Sequence, residues 1–136
     1  MKYFLDTNII IYSLKDSFSA VKTHFLKIPS QSIVIPAVVM AEIEYGAMKS
    51  YDYEKTIKQY KLFTDVFEKV SFSEEACYYY GKIRSDLEKQ GKIIGANDLL
   101  IASIVLAEKG TLVTHNTGEF QRIQELQIED WTIYTD

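Results

Sequence analysis

The chain has 136 residues, 47% hydrophobic and 25% charged, with a net charge of −4. That is the balance of an ordinary globular domain, and it excludes a disordered chain or one that grips nucleic acid through its overall field. Two Pro and six Gly leave little room for long linkers, and the single Cys77 excludes an internal disulfide, which fits a reducing compartment. No basic segment leads into a long apolar run, so neither a signal peptide nor a membrane span is expected. A single domain over residues 1–136, in the cytoplasm, is the expectation.

Residues 2–5 read as a short buried strand and 8–14 as a helix. Phe18 to Leu26 reads as a second helix, with Phe18, Val21 and Phe25 at near-helical spacing. Pro29 and Ser30-Gln31-Ser32 break the pattern. Ile33-Val34-Ile35 is β-branched throughout and reads as a second strand, closed by Pro36, which can equally open the next helix. That helix runs from Ala37 to Lys49. Glu54 to Phe67 reads as an amphipathic helix with Ile57, Tyr60, Phe63 and Phe67 on one stripe, and Glu68 to Phe72 as a third strand. Ser73-Glu74-Glu75 is a cap and acidic first turn for a helix to Lys89.

Gly91 and Gly95 bracket a loop. Asp98 to Lys109 reads as a helix buried on most sides, stopped by Gly110. Thr111 to Thr114 is a fourth strand, His115 to Glu119 a polar turn, and Trp131 to Tyr134 an edge strand. Strands alternating with helices predict an α/β fold, a three-layer α/β/α sandwich around a central, mainly parallel sheet of four or five strands.

Chemistry first shows at Asp6-Thr7-Asn8, three short polar residues between Tyr3-Phe4-Leu5 and Ile9-Ile10-Ile11-Tyr12. All three are favoured helix caps. A carboxylate here would also stand at the carboxyl end of a buried strand, where open α/β sheets bind ligands. Glu42 and Glu44 lie on different faces of one helix, and periodicity does not choose between them. Asp98 opens an apolar helix, with Asn97 competing for the cap. An acid in such surroundings is either well paired or holds a cation. Asn116 and Glu119 follow the fourth strand, where a turn residue and an exposed acid are the plain readings.

Carboxylates delivered from strand ends and helix starts suit a hard divalent cation, Mg²⁺ or Mn²⁺, with oxygen ligands. Such an ion acidifies a bound water and stabilises charge on a phosphodiester under attack. There is no Gly-rich phosphate loop, no Cys pair for zinc and no nucleophile elbow. The only histidines, His24 and His115, read as surface residues. Lys49, Lys55, Lys58 and Lys61, and the group Lys82, Arg84, Lys89 and Lys92, read as basic rims or solvated helix faces.

Phe4-Leu5-Asp6-Thr7-Asn8, Glu42-Ile43-Glu44-Tyr45-Gly46, Ile94 to Ala102 and Leu112 to Phe120 resemble, in order and spacing, the PIN-domain ribonucleases of the VapC toxin type. The likeness runs on to Ile128-Glu129-Asp130-Trp131. It implies a three-layer α/β/α fold and Mg²⁺- or Mn²⁺-dependent cleavage of RNA; single-stranded loops are the expected targets, because structured RNA exposes readable bases mainly there. The family's acid is followed four residues later by Gly, which selects Glu42 over Glu44. The resemblance also implies Asp6 and Asp98 as principal metal ligands, and Glu42 completing the site. Thr7, Asn8 and Thr114 would orient water and carboxylates. A homodimer and a cognate antitoxin whose tail fills the active site follow from the same likeness. Many relatives carry a fourth acid after the last strand. Asn116 stands there in this chain, so Glu119 becomes the candidate for that charge and a second metal ion is in doubt. The alternative is a catalytically weak PIN-fold RNA- or protein-binding module.

Overall fold

The computed structural model describes residues 1–135. Its strands are β1 (Tyr3–Leu5), β2 (Ile33–Pro36), β3 (Glu68–Val70), β4 (Thr111–Val113) and β5 (Gln127–Glu129). They form one five-stranded sheet in the order β3-β2-β1-β4-β5, and every neighbouring pair is parallel. The helices are α1 (Thr7–Lys15), α2 (Ser19–Lys27), α3 (Ala37–Lys49), α4 (Tyr53–Thr64), α5 (Glu74–Gln90), α6 (Ala96–Ala107) and the short α7 (Thr117–Phe120). No helix among the described residues is long and apolar enough to cross a membrane.

Central strands covered on both faces need continuous apolar runs. Phe4, Leu5, Ile33, Val34, Ile35, Leu112 and Val113 supply them, each at most 1% exposed. The chain steps outward from β1 to β2 and β3, then crosses back to β4 and β5. Right-handed crossovers in opposite directions put α1–α4 and α5–α6 on opposite faces, which makes the three-layer sandwich. The reversal falls between β1 and β4. It creates a crevice at their carboxyl ends, the usual ligand position in this architecture.

Several elements differ from the sequence expectation. Pro36 ends β2 and caps α3 without entering it, at φ −62 and ψ 140. α4 stops at Thr64, leaving Phe67 to close the core from the turn that follows. α6 begins at Ala96, with Gly95 as its cap and no side-chain cap bond. Asp98 therefore sits inside the first turn, and neither it nor Asn97 is the cap. The left-handed residue after α6 is Lys109, at φ 56. Gly110 is needed for a different reason, since a Cβ there would lie 2.3 Å from the Phe4 ring and 3.0 Å from the Lys2 carbonyl.

Trp131 to Tyr134 is not a strand. The edge strand is Gln127–Glu129, and Trp131 is fully buried beyond it. The tryptophan stacks on His24 at 5.4 Å and meets Phe25 edge-on at 5.1 Å. Packing of this ring fixes the segment in place of a ladder of backbone bonds. His24 is accordingly a buried residue, bonded through Nε2 to the Ile133 carbonyl at 2.9 Å. Of the expected basic rims, Lys82 is paired with Asp86 and Glu125, and Arg84 with Glu88. Those charges are neutralised helix faces.

Candidate metal centre

Asp6 follows β1 directly. Its backbone N–H donates to the Val113 carbonyl at 2.9 Å, so the β1–β4 ladder carries it into the crevice. Its side chain does two jobs. Oδ1 accepts from the Thr7 backbone N–H at 2.8 Å, which makes Asp6 the cap of α1. Of the three favoured caps Asp6, Thr7 and Asn8, it is Asp6 that takes the role. Oδ2 accepts from the Thr114 hydroxyl at 2.7 Å, across the switch point. The residue is 5% exposed, and burial raises its pKa. The Thr114 and Thr7 bonds oppose that rise, and the charge of Glu42 adds to it.

α3 brings Glu42 to the same place. Its Oε1 accepts from the Thr7 hydroxyl at 2.6 Å and Oε2 from the Asn97 amide at 3.4 Å. Glu44 lies elsewhere, bonded to the Tyr53 hydroxyl at 2.8 Å. The helix face that sequence periodicity left open is thus decided by packing. Asn97, set aside as a competing cap, is instead a donor to Glu42. Its position just before Asp98 on a helix whose other face is apolar was the signal available for it.

Asp98 projects from the first turn of α6. Its Oδ2 accepts from the Asn116 amide at 3.4 Å, and the same amide donates to Glu119 Oε2 at 2.7 Å. Asn116 caps α7, and its backbone N–H donates to the Thr114 hydroxyl at 2.9 Å. Asn8 accepts from the His115 backbone N–H at 3.5 Å. Asp98 carries the clearest electrostatic signature in the molecule. Partial burial, then the charges of Asp6, Glu119 and Glu42, push its carboxyl up to about 7.

The structure therefore gathers Asp6, Glu42, Asp98 and Glu119 around one crevice, with Thr7, Asn97, Thr114 and Asn116 as the hydrogen-bonding groups between them. None of the ion pairs among the described residues involves these four acids. No three metal-ligating side chains there stand close enough to form a ready-made cage. The carboxylates are gathered but not closed up, and their mutual repulsion is uncompensated by protein. An all-oxygen donor set of this charge fits a hard divalent cation and does not fit a soft one.

Residues 3–126 match the family model described as the PIN domain. The chain is 42% identical over 132 residues to Ribonuclease VapC2 of Rickettsia felis, covering 96% of this chain and 98% of that protein. It is 32% identical to the tRNA(fMet)-specific endonuclease VapC of Shigella flexneri, covering 97% and 99%. Among solved structures it superposes on VapBC-1 from nontypeable Haemophilus influenzae with a TM-score of 0.90 at 40% identity, covering 98% and 100%. The chain belongs to the PIN-domain family. Within that family its relatives of this similarity are VapC proteins.

Proposed function

We propose that this chain is a metal-dependent endoribonuclease, the toxin of a toxin–antitoxin pair. One observation carries the reading. Four acids from separate elements meet at the switch point of a parallel sheet with no cationic partner among the described residues, and burial together with the charges of the other three pushes the Asp98 carboxyl up to about 7. The relatives' printed names, ribonuclease and tRNA(fMet)-specific endonuclease, agree with it.

In this reading Asp6 and Asp98 hold Mg²⁺ or Mn²⁺, and Glu42 and Glu119 complete the anionic ring. The ion, when bound, supplies a water acidified for attack and a counter-charge for the phosphodiester. The chain's own residues do the rest. Thr114 and the Thr7 backbone fix both oxygens of Asp6, so its ligating direction is set before an ion arrives. Thr7 and Asn97 aim Glu42. Asn116 ties Asp98 to Glu119 and takes the place that an acid occupies in many relatives. The amide keeps the pocket one charge less negative, which favours one ion over two. Asn8 anchors the loop after β4.

A cognate antitoxin is the proposed protein partner, since several similar structures are VapBC complexes. A homodimer is proposed with it, and Tyr45, Met48 and Tyr51 leave an exposed apolar patch at the end of α3 that a second copy would cover. The amide at Asn116 gives some support to a second reading, a PIN-fold binding module with weak catalysis.

The test measures cleavage of single-stranded RNA by wild type, Asp6→Asn and Asp98→Asn with Mg²⁺, beside a calorimetric Mg²⁺ titration. The expected outcome is a loss of about a hundredfold or more in both variants, the scale set by removing a main electrostatic contributor. Wild-type rates in both variants would remove the metal assignment. Absence of Mg²⁺ and Mn²⁺ binding would favour the module.

A further inference from the structure

His115 is one residue from Asn116 and one from Thr114, yet the metal site does not use its side chain. Its ring is held in a defined way. Nδ1 lies 3.0 Å from Asp130 Oδ2 and 3.0 Å from the Thr132 hydroxyl oxygen. The Thr132 hydroxyl donates its own proton to Asp130 Oδ1 at 2.7 Å, so toward His115 it can only accept. Burial pushes the Asp130 carboxyl up, but bonds from Thr132 and His115 outweigh this and hold it below its ordinary range. Asp130 is thus an ionised acceptor. Both neighbours of Nδ1 are acceptors, so Nδ1 carries the proton. This is the arrangement by which a carboxylate sets a histidine's tautomer and leaves its other nitrogen for a reacting partner.

Two aromatic rings flank the imidazole. Tyr12 meets it edge-on at 5.9 Å and Phe18 at a tilt at 5.6 Å, and these two rings contact each other at 4.8 Å. The side chain is nevertheless 45% exposed, against 12% for Asp130. Among the described residues Nε2 has no hydrogen-bond partner. The ring is therefore oriented through Nδ1 and partly exposed, with Nε2 left unpaired among the described residues. Its position is also set relative to the carboxylates. The His115 N–H is bonded to Asn8 in the first turn of α1, and the next residue bonds both Asp98 and Glu119.

We propose that the Nε2 edge of His115 contacts the sugar–phosphate backbone of the substrate strand where that strand leaves the carboxylate pocket. The contact rests on the reading of the pocket as a ribonuclease site. The neutral ring accepts from a ribose 2′-hydroxyl and the protonated ring donates to a phosphate oxygen, and both are groups of the same backbone. Asp130 and Thr132 are positioning residues that act through His115. A purely structural dyad would tie the loop after β4 to the carboxyl-terminal segment and leave substrate untouched.

The probe is a fluorescein-labelled single-stranded RNA spanning a site that the wild type cuts. Binding is read by anisotropy in the Asp98→Asn background, and cleavage in the native background. His115→Ala is expected to weaken binding about fivefold, the scale of one lost hydrogen bond, at a temperature well below the midpoint of thermal unfolding of both proteins. Asp130→Asn is expected to weaken binding less, and to add nothing to His115→Ala. Single 2′-deoxy and single methylphosphonate substitutions along the strand then locate the contact. At one position the wild type loses affinity and His115→Ala does not, and the kind of substitution tells hydroxyl from phosphate. The proposal is overturned if His115→Ala binds as the wild type does, if both proteins respond alike at every position, or if lost binding tracks lost thermal stability. Should the wild type cut no RNA, the ribonuclease reading falls and this contact with it. Cleavage that needs Asp6 and Asp98 but ignores His115 overturns the contact alone.

Discussion

Asp98 shows how a single residue reports on its surroundings. An isolated aspartate ionises near 3.8, and this one is pushed up to about 7 by burial and three nearby acids. Between those values the unfolded chain carries the charge and the folded chain carries the proton. The fold therefore binds more protons, and in the absence of metal its stability falls as pH rises from about 4 through about 7. Asp98→Asn removes that titration. In chelator, the variant is expected to match the wild type below about pH 4 and to exceed it increasingly up to about pH 7. Asp98 is only partly buried, so solvent screening cuts the gain to on the order of 1–2 kcal/mol. Urea unfolding of both proteins across this range measures it, and parallel curves would show that the acids do not repel one another. The candidate acids were legible one by one, because carboxylates at strand ends and on apolar helices are anomalous. Periodicity did not choose Glu42 over Glu44, because both helix faces carry apolar neighbours; the resemblance, through Gly46, pointed to Glu42, and packing turns it toward Thr7 and Asn97.

At the scale of elements, caps and close approaches decide where the chain turns. Ser73 caps α5 as the sequence indicates, its hydroxyl accepting from the Ala76 N–H at 3.1 Å. Gly110 was legible as a helix stop, but Lys109 takes the left-handed conformation and Gly110 admits the Phe4 ring. The cause is tertiary, because β4 must enter beside β1 without a side chain in the way. Gly110→Ala is expected to lower unfolding stability by about 1–3 kcal/mol, the usual range for overpacking a filled core. Chemical denaturation measures it. An unchanged midpoint would mean that Phe4 moves aside freely. Trp131 shows the opposite case, because an aromatic, β-prone run reads as a strand, yet burial of the indole against His24, Phe25 and Tyr3 holds it outside the sheet.

At the scale of the whole molecule, the exposed apolar patch of Tyr45, Met48 and Tyr51 is the surface on which the proposed homodimer can be tested. Sedimentation equilibrium is expected to give twice the 15.7 kDa chain mass. Tyr45→Glu with Met48→Glu is expected to return the mass of one chain, because charges opposed across a two-fold axis repel. A monomeric wild type removes the dimer.

The sequence by itself determined the α/β class, most of the strand and helix assignments and the candidate acids. These follow from local apolar periodicity, β-branching and caps, which act over a few residues. Only the tertiary structure decided the strand order, the placement of Asn97 and Asn116 between the acids, and the pairing of His115 with Asp130. Each of these joins groups far apart in the chain. Contacts of that kind depend on how finished elements pack, and residue spacing carries no record of it.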